Sequence, residues 1–185
     1  MSVLDPVSPF LSLIDRIISL IKARETRRRD YFEKIIDPLY IQFRPLGENY
    51  IHLFREAQDA LKSSKKRDRS EAVLLVRRRR EEFAAARAQL GALLGVCEKH
   101  SKKKKDEELT AFVRAMSQFF HPMIMPNPGL GSLGRQLIDF FEAWELRGAK
   151  TSPLDFVRSG TARLDASWHE IAGRYMELRI RYLGL

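Results

Sequence analysis

Apolar positions recur along this chain at alternating steps of three and four, the spacing that gathers side chains on one face of an α-helix. The first seam reads Phe10, Ile14, Ile17, Ile21, Arg24, Arg28, Tyr31 and Ile35. Ser8-Pro9 supplies an N-cap and a first-turn proline for it, and Asp37-Pro38 is expected to end or kink it. The segment "LYIQFRPLGENY" is expected to turn at Pro45 and Gly47. A second helix then follows through "ENYIHLFREAQDALK", with Tyr50, Phe54, Ala57 and Leu61 on one side. The third helix is predicted from Ser70-Glu71 to about Cys97, with a seam of Val73, Val76, Arg80, Phe83, Arg87, Leu90, Leu94 and Cys97. "KHSKKKK" should break it, and "DEELTAFVRAMSQFF" should form a fourth helix whose acidic residues suit an N-terminus. A fifth is capped by Ser132, with Leu137, Phe140, Phe141 and Trp144 inward.

The last seam is the most regular. From Ser152-Pro153 it runs Leu154, Val157, Thr161, Leu164, Trp168, Ile171, Tyr175, Leu178 and Tyr182, with Gly160 and Gly173 as local weak points. No stretch alternates as a strand would, and no repeat is visible. The pattern therefore predicts an all-α fold, an antiparallel bundle of about five to six helices, several of them long and amphipathic. A single domain over 1–185 is expected, with residues 121–132 as the place where it would subdivide.

One short stretch resists this patterning. In "VRRRREEF", successive helical residues stand about 100° apart, so four arginines in a row point almost all the way round. Arg80 falls on the apolar seam, Arg79 on its flank, and Arg77 and Arg78 outward; Arg24 and Arg28 occupy equivalent seam positions in the first helix. A buried, unpaired guanidinium is too costly to tolerate. These arginines must snorkel at the seam edge, pair with carboxylates such as Glu25, Glu33, Glu56 or Glu82, or converge on an anion.

Charge sharpens that question. The net charge is +9, yet residues 1–61 hold nine Lys/Arg against nine Asp/Glu, and residues 106–185 hold nine against ten. Residues 62–105 hold fifteen against five, so the whole excess sits in one segment. Lys99 and Lys102 to Lys105 lie at the far end of the third helix from the arginine run, roughly 40 Å away at 1.5 Å per residue. Folding the second helix back along the first would bring Arg24, Arg27, Arg28 and Arg29 beside Lys65, Lys66, Arg67, Arg69 and Arg77, Arg78, Arg79, Arg80. Such a ridge would bind a polyanion in a salt-dependent, sequence-tolerant way; otherwise the basic loops are simply solvated. Few aromatics interleave with it, which argues against stacking on single strands.

Candidate chemistry is sparse. His52, His100, His121 and His169 are widely separated and lack partners at metal-ligand spacing, "WHEIAG" lacks the second histidine of a zincin helix, and no phosphate-binding glycine loop occurs. The expectation is a protein that is not an enzyme, with no cofactor and no metal. The single Cys97 excludes an intramolecular disulfide and fits a reducing, cytoplasmic setting. The longest uncharged stretch, residues 115–134, carries three prolines and three glycines and is rejected as a membrane span. The leading reading is a non-catalytic interaction or adaptor protein that binds a protein partner or itself. Its candidate contacts are Met123, Ile124 and Met125 in a proline-flanked loop, and Trp168, Tyr175 and Tyr182 on the last seam. The alternatives are a nucleic-acid-binding accessory protein using the basic ridge, and a peripheral membrane protein lying on the surface through amphipathic residues 9–22.

Overall fold

The computed structural model describes residues 28–62, 71, 74–78, 81–120 and 153–185, with Ser19 and Asp139 as single positions. In chain order these form α1 (Arg28–Tyr31), a π-helical turn (Phe32–Ile36), α2 (Asp37–Lys62), α3 (Ala84–Lys103), α4 (Glu107–Phe120) and α5 (Pro153–Leu183). Every described element is helical, as the three-four spacing predicts. The expected fifth helix, capped by Ser132, lies outside the described residues, apart from helical Asp139.

The expected break at Asp37-Pro38 and turn at Pro45-Gly47 do not occur. α2 runs without interruption through all three positions. Ahead of Pro38 the backbone widens into the π turn, with the Asp37 N–H donating to the Phe32 carbonyl. The change of pitch comes where a proline ring would otherwise meet the carbonyl four residues back. Pro45 lies inside α2 on an exposed face and removes one hydrogen bond, at a cost of about 3 kcal/mol. Against this, Leu39, Phe43, Leu46, Tyr50, Phe54 and Ala57 continue one buried stripe across the proline. Each large member contributes about 1.5–3 kcal/mol on burial, so the stripe outweighs the local penalty. A turn at Pro45 would have broken the stripe's phase.

The third predicted helix is also revised at both ends. Residues 74–78 and 81–82 are helical, but Phe83 is a turn residue and α3 starts at Ala84. At the other end α3 continues past Cys97 through "EKHSKK" to Lys103. His100, Lys102 and Lys103 in its last turn face the negative end of the helix dipole, which favours extension over a break. α5 starts at Pro153 as expected, and its seam holds: Val157, Thr161, Leu164, Ile171 and Leu178 are buried.

The described residues group into two compact units. The first draws on residues up to Leu46, Ala84–Ser117 and His169–Leu185. Its core joins Ile35, Ile36, Leu39 and Phe43 with Leu90, Leu93, Leu94 and Cys97 of α3, Phe112, Val113 and Met116 of α4, and Ile171 and Leu178 of α5. Tyr31 stacks near Tyr182, while Tyr40 stacks on Tyr175 with ring centroids 4.0 Å apart. The chain from α1 into α2 and the end of α5 therefore run antiparallel. The second unit draws on Gly47–Phe83 and Gln118–Trp168. Tyr50, Phe54, Phe119, Phe120 and Trp168 form its aromatic cluster, and Arg55 pairs with Asp165 at 2.9 Å on its surface.

Candidate functional site

The polar feature with the most chemistry in the first unit is the corner between α3 and α4, and local sequence explains its shape. The connection has only three residues, Lys104, Lys105 and Asp106. The Asp106 N–H donates to the Ser101 carbonyl at 3.0 Å and the Lys105 N–H to that of Lys102 at 3.1 Å. This pair of bonds is a Schellman motif, which needs a left-handed residue after the helix. Lys105 takes that role at φ 55, a position usually given to glycine. Asp106 then caps α4, its Oδ1 accepting the Leu109 N–H at 3.0 Å.

Below the corner, Ser101 is fully buried, donates to the Glu98 carbonyl at 3.0 Å and lies 2.8 Å from the Thr110 hydroxyl. Beside it lies a cavity of about 140 Å³ lined by Tyr31, His100, Ser101, Lys104, Asp106, Leu109 and Tyr182. A wider recess of about 320 Å³ shares Lys104, Asp106 and Tyr182 and adds Lys105 and Arg181. Tyr31 stacks on His100 at 5.8 Å, and the Lys104 ammonium stands 5.5 Å from the centre of the Tyr31 ring.

Two side-chain atoms of residues around the smaller cavity, Tyr31 Oη and His100 Nε2, are themselves buried and have no hydrogen-bond partner among the described residues. Burial drives the Tyr31 phenol well above its ordinary pKa, so it stays a neutral hydroxyl. Burial, and then Lys104 and Lys103, push His100 below the usual histidine value, so its ring is neutral at neutral pH.

The acids of the corner are already engaged. Tyr182 donates its hydroxyl to Asp106 Oδ2, and Arg181 lies 3.5 Å from Asp106 and 2.7 Å from Glu108. Lys104 and Lys105 have no ion pair among the described residues, whereas Lys102 is held by Glu98 at 2.8 Å. The opening thus carries Lys104 and Lys105 beside the Asp106 carboxylate, with two unpartnered polar atoms buried behind it. No group of three or more His, Cys, Asp or Glu among the described residues is placed to hold a metal ion.

A second surface feature lies on the solvent face of α5. Met176 and Ile180, one turn apart, are 48% and 52% exposed. Glu170 and Arg174, joined at 2.9 Å, together with Glu177 and Arg181, flank them with charges of both signs. Gly173 on the same exposed face has open space where a side chain would stand.

The residues singled out from the sequence are distributed as follows. Arg29 is exposed and bonds Glu33 at 2.8 Å, a pairing of the kind the seam arginines call for, though on the surface. Arg77 and Arg78 are exposed, as their register requires. Arg24, Arg27, Lys65, Lys66, Arg67, Arg69, Arg79 and Arg80, the side chain of Arg28, and the loop residues Met123, Ile124 and Met125 lie outside the described residues, as does nearly all of 9–22. Trp168, Tyr175 and Tyr182 are half-buried and face contacts within the chain: Trp168 meets Phe119 at 6.1 Å, and Tyr175 donates to Asp37. Sequence reasoning missed the corner itself. Tyr31 read as a seam residue, His100 as isolated and the four lysines as a helix breaker; the one available clue was a basic run directly preceding Asp106-Glu107-Glu108.

No helix among the described residues is long and apolar enough to cross a membrane. Comparison with protein-family models, curated proteins and solved structures returns no match for this chain.

Proposed function

We propose that this protein is a non-catalytic helical interaction module that engages a protein partner, or a second copy of itself, through the solvent face of α5. The observation that carries this reading is the pair Met176 and Ile180, half exposed on successive turns. Single exposed apolar residues are ordinary, but two that stack along one face provide adjacent anchors. Their surroundings suit an interface. Glu170, Arg174, Glu177 and Arg181 form a polar rim, and the bare backbone at Gly173 lets a partner approach closely.

The double variant Met176→Glu/Ile180→Glu replaces both anchors with carboxylates on an exposed face, so the fold should be kept. Affinity purification from the native host, with and without nuclease, and sedimentation velocity of the purified chain read the outcome. A nuclease-resistant partner or a dimer that the double variant loses supports the reading. Association that survives the double substitution overturns it, and association abolished by nuclease points to nucleic-acid bridging instead.

A further inference from the structure

We infer that the partner of the α5 face is a second copy of this chain, the two α5 helices pairing antiparallel about the level of Ile171. This rests on the reading of that face as the interface and names its occupant and register. α5 is one continuous helix, and it carries a second seam on the side away from the core. Ala162, Ala166, His169, Gly173, Met176 and Ile180 follow one another at steps of four and three, and all six are exposed. Leu164, Ile171 and Leu178 point the opposite way and are buried. A seam kept at this spacing is the pattern by which one helix packs along another.

The seam is uneven, and its unevenness selects the orientation. Met176 and Ile180 stand at its C-terminal end and the two alanines at its N-terminal end. A parallel pair would stack bulk on bulk at one end and alanine on alanine at the other. Antiparallel pairing about Ile171 instead sets Ile180 against Ala162 of the second copy, Met176 against Ala166, and His169 against Gly173. Each layer then holds one large and one small side chain, so the two helices can stay evenly spaced. At Gly173 the space beside the backbone is open, leaving room for the histidine ring.

Charge selects the same register. Arg163, Glu177 and Arg179 flank the seam, are exposed, and have no ion pair among the described residues. In an antiparallel pair, flanking positions of one kind face each other across the seam. Arg163 thereby meets Glu177 of the second copy, and Arg179 meets Asp165, each contact occurring twice by symmetry. Asp165 is held in its own chain by Arg55 at 2.9 Å, so Arg179 extends an existing pair. Glu170 meets its own copy at the axis, where Arg174 neutralises each at 2.9 Å. The alternatives fare worse. A slide of one heptad toward the C-terminus opposes Glu170 with Glu177, and the reverse slide sets Ile180 against Asp155. A parallel pair opposes Asp165 with Glu170.

Sedimentation velocity of the full chain at low ionic strength, from micromolar to millimolar concentration, tests the pairing. A concentration-dependent dimer is expected. Arg163→Glu and Glu177→Arg should each weaken it about tenfold, since each turns two opposite-charge contacts into like-charge ones. The double variant Arg163→Glu/Glu177→Arg restores opposite charges only in this register, and should return the dimer to within about threefold of the parent. All these positions are exposed, and circular dichroism checks that helix content is kept. The inference is overturned if the chain stays monomeric throughout, or if the double variant dimerises no better than the single ones. Either result leaves the α5 face free to bind a different protein. A dimer that survives Met176→Glu/Ile180→Glu overturns both readings together.

Discussion

Replacing Tyr31 by phenylalanine should stabilise this protein, the reverse of what removing a core tyrosine hydroxyl ordinarily does. A typical buried Tyr→Phe change loses a hydrogen bond worth about 1 kcal/mol. At Tyr31 there is no such bond to lose among the described residues: the residue is 5% exposed and its oxygen is buried and unpartnered there. In the unfolded chain that hydroxyl is hydrated, so folding strips its water at a cost of about 1–3 kcal/mol. Phenylalanine keeps the ring's stacking on His100 at 5.8 Å and near Tyr182 at 6.1 Å, and keeps Lys104 over its face. The net expectation is a gain of about 1 kcal/mol, seen as a higher urea midpoint with unchanged slope. For a chain of this size it corresponds to a Tm rise of roughly 2–4 °C. Tyr175→Phe is the matched control, because the Tyr175 hydroxyl donates to Asp37 and its loss should destabilise by about 1 kcal/mol. If Tyr31→Phe lowers the midpoint as much as Tyr175→Phe does, the Tyr31 hydroxyl is bonded in solution and the reasoning fails.

Three further outcomes are expected. Burial raises the Cys97 thiol from 9.0 to about 12, so above pH 9 the unfolded chain releases this proton while the folded chain holds it. The thiol's contribution is then full below pH 9 and falls by about 1.4 kcal/mol per pH unit toward pH 12. Tyr31 and Tyr175, also raised by burial, add slopes of the same sign above pH 10, so Cys97→Ala should lessen the slope of chemical denaturation by the thiol's share, most visibly between pH 9 and 10. Pro45→Ala restores a backbone donor inside α2 at an exposed position; it should stabilise by about 1–2 kcal/mol after the unfolded-state entropy is set against the regained bond, and a lower urea midpoint would contradict the continuous helix. Lys105→Gly relieves a non-glycine residue held at φ 55, so a gain of about 1 kcal/mol in thermal or urea unfolding is expected; a loss would show that this lysine makes a stabilising contact.

How far the chain could be read depends on the range of the forces involved. The α5 seam and the α4 N-terminus were legible because three-four spacing and an aspartate before the helix act within one or two turns. α2 was misread because Pro38, Pro45 and Gly47 are strong local signals, and local rules cannot weigh them against a stripe from Leu39 to Ala57 that only tertiary packing buries. The same limit applies at the end of α3, where lysines that look like a breaker complement the helix dipole and one of them closes the Schellman turn.

The sequence by itself determined that the described elements are helices, which residues of each turn inward, and where the excess positive charge lies along the chain, since all three depend on residue type and period. Only the tertiary structure decided that Tyr31, His100, Lys104 and Tyr182, spread over 151 positions from first to last, line one small cavity. It likewise decided which polar atoms are left unpaired there. Pairing is a property of what surrounds an atom after burial, and residues so far apart in the chain meet only because their helices bury apolar faces against each other.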